Sequence, residues 1–538
     1  MPADNRSRSQ CASWALLALF IVQFALLFSP EALAWDGAFY YATARSIFFD
    51  HDLDLGNDLI LSYDVTPSPD FAAERFDQTL TPTGRVASPF AIGASLLWLP
   101  WFTLIYVVIR LASLFGLGPS TLTGYEWPFV WGSAVVTATY GWLAVLVGFR
   151  WARTLVGDRV ALVASATVMF VTPLLYYQFR EPFYAHAASA LTTALFVAAW
   201  WRSSQRQTTR FPWPFALGAL GGLAALVRTQ NITYLILPAL TALSTGWSAA
   251  RERDWSAVRR TLGNLLLVGL GTLTLLTIQF SVWAILYGQP LTIPQGATFI
   301  DWRAPWMGQV LLSTFHGLLI WVPIVLPAII GLLILARRGE RRMLALLLAV
   351  ALQVYVNGCA RDWFGGGGYG ARRFSSTLFI LLIGYAGMLS WRSKGAYRAL
   401  AAGLSVALVV HQWLILRYGF GDQIGGRVIS MEPSFSWQAD GLARFGRQLV
   451  GYIPRIAQDL LDVFRFPDSP LGVSSATPYS TAGQFALLAG VLGITWWLWR
   501  TARRLASFPI RLPVVRRLLS CALVVGVIML DVWLLSQA

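Results

Sequence analysis

The sequence predicts an all-α membrane protein that crosses the bilayer many times. Of its 538 residues, 56% are hydrophobic and only 12% are charged, whereas about 25% of the residues of a soluble domain are charged. The mean hydropathy is +0.57, and apolar runs long enough to cross a bilayer recur along the chain. So little polar surface could not cover a water-soluble globule. The composition therefore excludes a soluble enzyme, a disordered chain and a secreted disulfide-rich module.

Charge and cysteine content narrow the class further. The chain has 41 lysine and arginine residues and a formal net charge of +15. In a membrane protein, basic residues concentrate in the cytoplasmic loops, so this charge does not require a nucleic-acid partner. The three cysteines, Cys11, Cys359 and Cys521, form neither a C-x-x-C pair nor a zinc-ligand spacing. We expect no nucleic acid and no disulfide framework.

About 13 apolar runs are predicted to span the membrane. They lie at 12–33, 127–149, 160–177, 182–201, 213–227, 231–246, 262–286, 308–336, 343–357, 374–390, 399–416, 484–499 and 518–535. The Arg-rich segments between them follow the positive-inside rule if the further apolar run 91–115 lies at the outer interface. If 91–115 spans instead, every later loop changes side and the Arg-rich loop 337–342 falls outside. We therefore predict an interfacial 91–115, with the N-terminus inside and the C-terminus outside.

The predicted topology divides the chain into three regions. Residues 1–418 form the transmembrane core, in which 34–126 is the first outer loop. Residues 37–49 of that loop mix aromatic and small side chains, as in a short helix at the membrane interface. Residues 419–483 form an extracytoplasmic amphipathic insertion, which either packs on the bundle or acts as a lid at the lipid headgroups. Residues 484–538 form the C-terminal transmembrane helices.

Two acidic residues at predicted outer helix ends are candidate catalytic groups. Asp36 lies where the first span leaves the membrane, and an ionisable residue there is costly unless it is solvated or paired. It is equally a candidate N-cap of the helix that follows. Glu181 precedes Pro182, which can start a helix, so it too has a capping interpretation. His186 lies about one helical turn further on and can share a face with Glu181.

A glycine- and arginine-rich segment on the predicted outer side is a candidate anion site. Gly365 to Gly368 free the backbone to turn its N–H groups toward one point, and Arg361, Arg372 and Arg373 flank them. Arginine binds phosphate through two parallel hydrogen bonds. The alternative is a flexible loop with membrane-anchoring arginines, but three outer arginines run against the positive-inside bias and favour the anion site.

Other polar residues carry weaker signals. Arg228 and His316 lie between or within predicted helices, where such groups more often make interhelical hydrogen bonds. The run 50–54 contains D-x-D twice, and we interpret it as a solvated or weakly cation-binding turn. No Walker loop, G-x-G-x-x-G or H-E-x-x-H motif occurs. We therefore expect no bound nucleotide, while the use of a divalent cation stays open.

These residues together suggest a reaction at the outer face. A sugar on a polyprenyl phosphate could be held there by its lipid chain, and its phosphate is already a good leaving group. The reaction then needs a base for the acceptor hydroxyl and cations for the departing phosphate. Asp36 is the candidate base, and Arg361, Arg372 and Arg373 are the candidate phosphate ligands. Direct displacement would invert the anomeric carbon.

The chain resembles the GT-C polytopic glycosyltransferases, which include protein O-mannosyltransferases and the lipid A aminoarabinose transferase. The resemblance covers most of 12–418 and begins with Asp36, the following helix and Glu181. Further matching pieces are LDLGND at 53–58, SPFAIG at 88–93, REP at 180–182, LVRTQN at 226–231, HGL at 316–318 with Trp321 and Pro323, and GGGYGARRF at 366–374. Many relatives have Asp where this chain has Glu181, and several carry a large soluble outer domain after the membrane core, where we expect only the insertion at 417–483 in this chain.

The resemblance implies a GT-C-like helical bundle in a bacterial inner membrane with its active site facing outside. It implies Asp36 as general base, Glu181 as a second acidic group and Arg372 near the donor phosphate. Further phosphate-site or pocket candidates are Arg228, Tyr40, His186, His316 and Tyr369. The implied partners are a polyprenyl-phosphate-sugar donor, membrane lipid, and a glycan, lipid or protein acceptor. Alternatives are a flippase or transporter, a polymerase or ligase for lipid-linked envelope sugars, and a non-catalytic scaffold.

Overall fold

The structure is a computed structural model and consists of helices joined by short loops. It describes residues 3–28, 30, 33, 35–65, 80–116, 119, 121–205, 212–313, 316–392, 395–414 and 489. Within these residues the strand-like pairings are two isolated bridges, Leu80 with Val86 and Ile300 with Ala360. The predicted all-α class is confirmed for the part of the chain that the structure describes.

The helices follow one another closely along the chain. The first eight are α1 (Ala3–Leu27), α2 (Trp35–Arg45), α3 (Gly56–Val65), α4 (Gly93–Leu114), α5 (Trp127–Val156), α6 (Asp158–Phe170), α7 (Leu174–Phe179) and α8 (His186–Ser204). The next are α9 (Trp213–Val227), α10 (Ile236–Arg251), α11 (Trp255–Tyr287), α12 (Met307–Leu312), α13 (Leu318–Trp321), α14 (Val325–Arg337), α15 (Met343–Cys359), α16 (Leu378–Leu389) and α17 (Gly395–Leu414). A π-helical turn covers Ser46–Asp50, and 3₁₀ turns cover Thr229–Leu235 and Arg372–Thr377.

Four helical segments of the described chain are long and apolar enough to cross a membrane. They are α4, α5, the continuous segment Thr229–Arg251, and α11. Shorter apolar helices are Cys11–Leu27 within α1, α9, α14 and α15. The fold is therefore that of a helical membrane protein, while the number of 13 spans stays a prediction. The predicted spans 484–499 and 518–535 and the insertion 419–483 lie outside the described residues.

The run 91–115, predicted to lie at the interface, forms the continuous helix α4. At 22 residues it is long enough to cross a membrane. Its first half buries Trp98 and Phe102, whereas Leu104, Leu111 and Leu114 in its second half are exposed. Both the interfacial and the spanning position suit such a helix. The sidedness of the later loops therefore stays a prediction.

Two apolar runs that we predicted as single spans are broken. The run 160–177 divides into α6 and α7 at Pro173, which has no N–H group to continue the helical hydrogen bonding. The run 308–336 divides into α12, α13 and α14. Between α12 and α13, His316 has a left-handed backbone with φ of 60°. The continuous helices predicted for these two runs were therefore wrong, because apolar length alone does not reveal a local change of backbone direction.

The chain forms two compact units, each assembled from separate stretches of sequence. Among the described residues, unit A contains the stretches 3–28, 141–180 and 297–414, and unit B contains 30–140 and 181–296. In unit A, α14 and α16 cross so closely that a Cβ on Gly331 would overlap the carbonyl oxygen of Gly384. In unit B, the Thr272 hydroxyl of α11 donates to the Gly218 carbonyl of α9 at 3.0 Å. Close approach at small residues is typical of helix packing in membranes.

Candidate functional site

Asp36 lies in the first turn of α2, in unit B. Its side chain is half-buried, whereas every residue from Gly37 to Arg45 is buried. Trp35, directly before it, is 50% exposed and has a positive φ of 51°, which is unusual for a bulky residue. A carboxylate in a first turn interacts favourably with the helix dipole. Asp36 is therefore placed to stabilise α2, and its side chain is only partly enclosed by the protein.

The turn that carries Glu181 packs against this end of α2. A Cβ on Gly37 would lie 3.0 Å from Cβ of Phe183 and 3.5 Å from the ring of Tyr184. The Tyr41 ring, one turn further along α2, meets Phe183 edge-on at 6.1 Å between ring centroids. Glu181 is half-buried and begins this turn. The two acidic turns, far apart in the sequence, are thus neighbours within one unit.

A pair formed by the buried His186 and the half-buried Arg228 lies at the end of the same turn. Nη1 of Arg228 donates to Nδ1 of His186 at 2.7 Å. A guanidinium is only a donor, so Nδ1 of His186 is the acceptor and its neutral ring carries the proton on Nε2. The His186 ring also stacks on Tyr184 at 5.9 Å. Arg228 is thereby held beside the turn that packs on α2.

Tyr40, a predicted pocket residue of unit B, is 8% exposed. Its ring stacks on Phe90 at 4.9 Å between centroids. Its carbonyl accepts a hydrogen bond from the Ser95 hydroxyl of α4 at 2.7 Å. Tyr40 therefore helps to join α2 to α4, and its contribution to a substrate pocket stays a prediction.

The sequence did not single out a buried ion pair at the other end of α2. Nη1 of Arg45 donates to Oδ1 of Asp58 at 2.9 Å and also pairs with Asp50. Asp58 is fully buried, and this burial raises its pKa to about 7 against the opposing effect of the Arg45 charge. The available signal was a basic last turn followed by closely spaced acids, but sequence alone does not say which acid is buried.

The D-x-D run acts mainly within its own loop. Oδ1 of Asp52 accepts hydrogen bonds from the Ser46 hydroxyl at 2.6 Å and from the backbone N–H of Asp54 at 3.2 Å. Oδ1 of Asp54 accepts from the N–H groups of Gly56 at 3.2 Å and Val86 at 3.1 Å. The contacts with Ser46, Asp54 and Gly56 are local turn contacts of the kind that short acidic side chains make, whereas the contact with Val86 joins Asp54 to a segment 32 residues away. Within the described residues, no group of three or more His, Cys, Asp or Glu side chains has the arrangement of a metal site.

In unit A, the glycine-rich loop is folded around the Arg372 side chain. A Cβ on Gly368 would lie 2.9 Å from Cζ of Arg372, and one on Gly365 would lie 3.3 Å from its Nε. Gly365 and Gly366 also have φ values of 77° and 71°, which glycine adopts without strain. The glycines therefore leave room for a guanidinium. Anion binding by the backbone N–H groups of the loop stays a prediction, and the structure adds that the Arg372 guanidinium lies against the loop.

The other two arginines of this segment differ in their surroundings. Arg373 forms an ion pair with Asp362. Arg361 is exposed, and its backbone N–H donates to the Phe299 carbonyl at 2.8 Å. Asp362 therefore balances the charge of Arg373, whereas the guanidinium of Arg372 lies against the glycines at 365, 366 and 368.

His316 and Tyr369 pack behind the glycine-rich loop. Nδ1 of His316 donates to the Phe364 carbonyl at 2.7 Å. Tyr369 is 1% exposed, its ring stacks on Tyr176 at 4.7 Å, and Nε2 of Gln412 donates to its hydroxyl at 2.5 Å. These contacts give both residues a structural role in bracing the loop, and their predicted role in a pocket stays a prediction.

The predicted site residues fall into two groups. Unit B holds Asp36, Tyr40, Glu181, His186 and Arg228, and unit A holds Arg361, Arg372, Arg373, His316 and Tyr369. Within each unit, separate sequence segments come together as described. The convergence of both groups on a single cavity stays a prediction.

Comparison with known proteins gives one structural similarity. The chain matches no protein-family model, and no curated protein is similar to it in sequence. Its structure is similar to that of the oligosaccharyltransferase of Archaeoglobus fulgidus, solved in complex with Zn and sulfate, with a TM-score of 0.41 and 14% sequence identity. The match covers 76% of this chain and 52% of that chain, so this chain spans about half the length of that enzyme. The fold itself defines a helical, multi-pass membrane protein.

Proposed function

We propose that this protein is a GT-C glycosyltransferase. In this proposal it moves a sugar from a polyprenyl-phosphate donor to a hydroxyl group of a glycan, lipid or protein at the outer face of the membrane. The observation that carries the proposal is the packing of the first turn of α2 on the turn after α7. Gly37 beside Asp36 contacts Phe183 and Tyr184 of the turn that Glu181 begins. Two acidic positions on turns near the half-buried Arg228 suit proton transfer next to a phosphate.

The reaction is a single displacement at the anomeric carbon. The acceptor oxygen forms a bond to this carbon while the bond from the carbon to the phosphate oxygen breaks. The electron pair of the broken bond leaves with the phosphate, so that polyprenyl phosphate is released. Asp36 takes the proton of the acceptor hydroxyl. Attack opposite the leaving group inverts the configuration at the anomeric carbon.

The departing phosphate gains negative charge and needs a cation. In unit A, Arg372 is the proposed ligand, because the glycine-rich loop packs closely against its guanidinium and so places it beside the loop. Arg361 and Arg373 are secondary candidates. In unit B, Arg228 is held by His186 at 2.7 Å, which suits a group that orients the donor or Glu181. Arginine binds phosphate oxygens in pairs, which fixes both position and orientation.

The test is turnover of purified protein in detergent or nanodiscs with radiolabelled polyprenyl-phosphate sugars. We expect release of polyprenyl phosphate by the unmodified protein and a loss of at least about 100-fold in Asp36→Asn, the range that general-base catalysis supplies. The matched control is Asp254→Asn, because Asp254 caps α11 through the N–H of Ala257 at 2.9 Å and asparagine caps helices equally well. Unchanged turnover in Asp36→Asn, with normal expression, would refute the assignment of the base.

The same experiment separates the proposal from its main alternative. A flippase or transporter for lipid-linked sugars would move the labelled lipid between leaflets without cleaving it. Reconstituted vesicles that translocate the donor but release no polyprenyl phosphate, with any acceptor tested, would therefore favour transport over transfer.

A further inference from the structure

The end of α2 opposite Asp36 is held by a buried ion pair that the proposed reaction does not use. Arg45 is 7% exposed. Its Nη1 donates to Oδ1 of Asp58 in α3 at 2.9 Å and pairs with Asp50 at the end of the π-helical turn. Its Nε donates to the Thr123 carbonyl at 2.7 Å. The last residue of α2 is thereby joined to three neighbouring segments of unit B.

A second set of contacts joins α2 and α3 to the segment 121–126. The Tyr41 hydroxyl, one turn before Arg45, donates to the Gly124 carbonyl at 2.5 Å. The Tyr125 hydroxyl donates to the Asp58 carbonyl at 2.7 Å. Gly124 has a φ of 87°, and a Cβ on it would lie 2.9 Å from Cγ of Arg45. The segment 121–126 therefore lies directly over the ion pair and fixes both partners.

Arg45 and Asp36 lie at opposite ends of the same helix, α2. α2 has 11 residues, so at about 1.5 Å of rise per residue Asp36 lies roughly 14 Å along the axis from Arg45. α2 is buried from Gly37 to Arg45, and its backbone hydrogen bonds hold its residues in one helical frame. A change in direction or rotation at the Arg45 end therefore displaces the Asp36 carboxylate relative to the turn that begins at Glu181.

We propose that Arg45 and Asp58 are positioning residues that set the location of the Asp36 carboxylate through α2. This inference rests on the proposed function for its catalytic consequence, but the displacement of α2 can be measured without turnover. Neither residue touches the reacting atoms. Their effect is on the placement of the base, for which an error of about 1 Å costs on the order of 100-fold in rate.

The protonation state of Asp58 should be visible in the pH profile of activity. The groups that face Asp58 are Arg45 on α2, Asp50 and Asp52 in the turn after α2, and Tyr125 above it. Burial raises the pKa of Asp58 to about 7, so the ion pair forms as the pH rises through neutrality. We expect activity to rise over the same range, and this limb of the pH profile to disappear in Asp58→Asn.

The kinetic test compares Asp58→Asn, Arg45→Lys and the control Asp254→Asn by kcat, by donor KM and by pH profile. We expect kcat to fall about 10- to 100-fold in Asp58→Asn, the order of loss that a misplacement of up to about 1 Å gives, with the donor KM changed less than threefold. Arg45→Lys retains the positive charge but loses the planar guanidinium that donates several hydrogen bonds at once. This variant should therefore retain part of the activity. Wild-type kcat and an unshifted pH profile in both variants would overturn the inference.

The structural test measures the position of α2 directly. Nitroxide labels are attached to Trp35→Cys and Ile232→Cys, which are 50% and 45% exposed in the native protein, in a background without other cysteines. We expect the distance distribution between the labels to shift or broaden in Asp58→Asn and to stay unchanged in Asp254→Asn. If Asp58→Asn does not fold, Arg45→Lys takes its place in this measurement.

The outcomes of the two tests separate this inference from the proposed function. An inactive Asp36→Asn together with a fully active, unshifted Asp58→Asn would overturn the positioning role and leave the transferase proposal standing. A fully active Asp36→Asn would refute the assigned base. The label distances would then still decide whether Arg45 and Asp58 position α2, because an unchanged distribution overturns that claim without reference to turnover.

Discussion

The glycine-rich loop allows a test of the proposed phosphate ligand by a single added methyl group. In Gly368→Ala the new Cβ would lie 2.9 Å from Cζ and Nη1 of Arg372 and 2.8 Å from the Tyr177 hydroxyl. Gly368 does not have a positive φ, so alanine fits its backbone. Because non-bonded carbon atoms approach to about 3.5 Å, the guanidinium must retreat by roughly 0.5 Å or more. The substitution therefore displaces Arg372 without changing its charge.

The neighbouring residue provides a matched control. A Cβ on Gly367 would meet nothing within 4 Å, and its φ is not positive either. Both substitutions reduce the freedom of the unfolded loop to the same extent. Any difference between Gly368→Ala and Gly367→Ala therefore reports the contact with Arg372 and Tyr177.

The expected effect follows from the energy of a charge-assisted hydrogen bond. Such a contact contributes about 1.5–3 kcal/mol, so its loss should raise the donor KM or lower kcat/KM about 10- to 100-fold. The assay is release of polyprenyl phosphate at varied donor concentration. The thermal midpoint of Gly368→Ala should be lower than that of Gly367→Ala, because its new Cβ also displaces the buried Tyr177 hydroxyl, which donates to the Tyr369 carbonyl at 3.1 Å. Equal kinetics for the two variants would refute the role of Arg372 at the donor phosphate.

Three further predictions concern stability and protonation. Gly331→Ala should lower the thermal midpoint in detergent, at a cost of about 1–3 kcal/mol for overpacking, whereas Gly403→Ala, with open space around it, should not. Burial raises the pKa of Asp58 from 3.8 to about 7. The contribution of Asp58 to the free energy of unfolding is therefore fully present below about pH 4 and is lost as the pH rises through 7. Thermal melts from pH 4 to 8 should be flatter in Asp58→Asn, and an unchanged slope would contradict the shift. Nitrogen NMR should find Nδ1 of His186 without a proton, because Arg228 donates to it at 2.7 Å.

The sequence predicted the features that depend on local patterns. Apolar runs gave most of the helices, and aromatic and small residues at 37–49 predicted a short helix, which the structure confirms as α2 and the π-helical turn that follows. Asp36 lies within the first turn of α2 and not at its N-cap, and Glu181 lies in the turn before α8. Local patterns sufficed because helix formation depends on residues within a few positions of one another.

Other features required the tertiary structure. The sequence could not show that Arg45 pairs with Asp58 rather than with a nearer acid alone, because burial chooses among several carboxylates. Nor could it show that a guanidinium would lie against the glycines at 365–368, since sequence spacing does not fix the direction of a side chain. Apolar composition also did not reveal the left-handed backbone at His316, which interrupts the apolar run 308–336.

The residues themselves thus determined a helical membrane protein and the chemical types of its candidate groups. Tertiary packing decided which groups meet: Gly37 against Phe183 and Tyr184, and Arg228 against His186. The physical reason is that hydrophobicity and helix formation are encoded residue by residue, whereas the partner of a buried charge is set by whichever groups folding brings within a few ångströms of it.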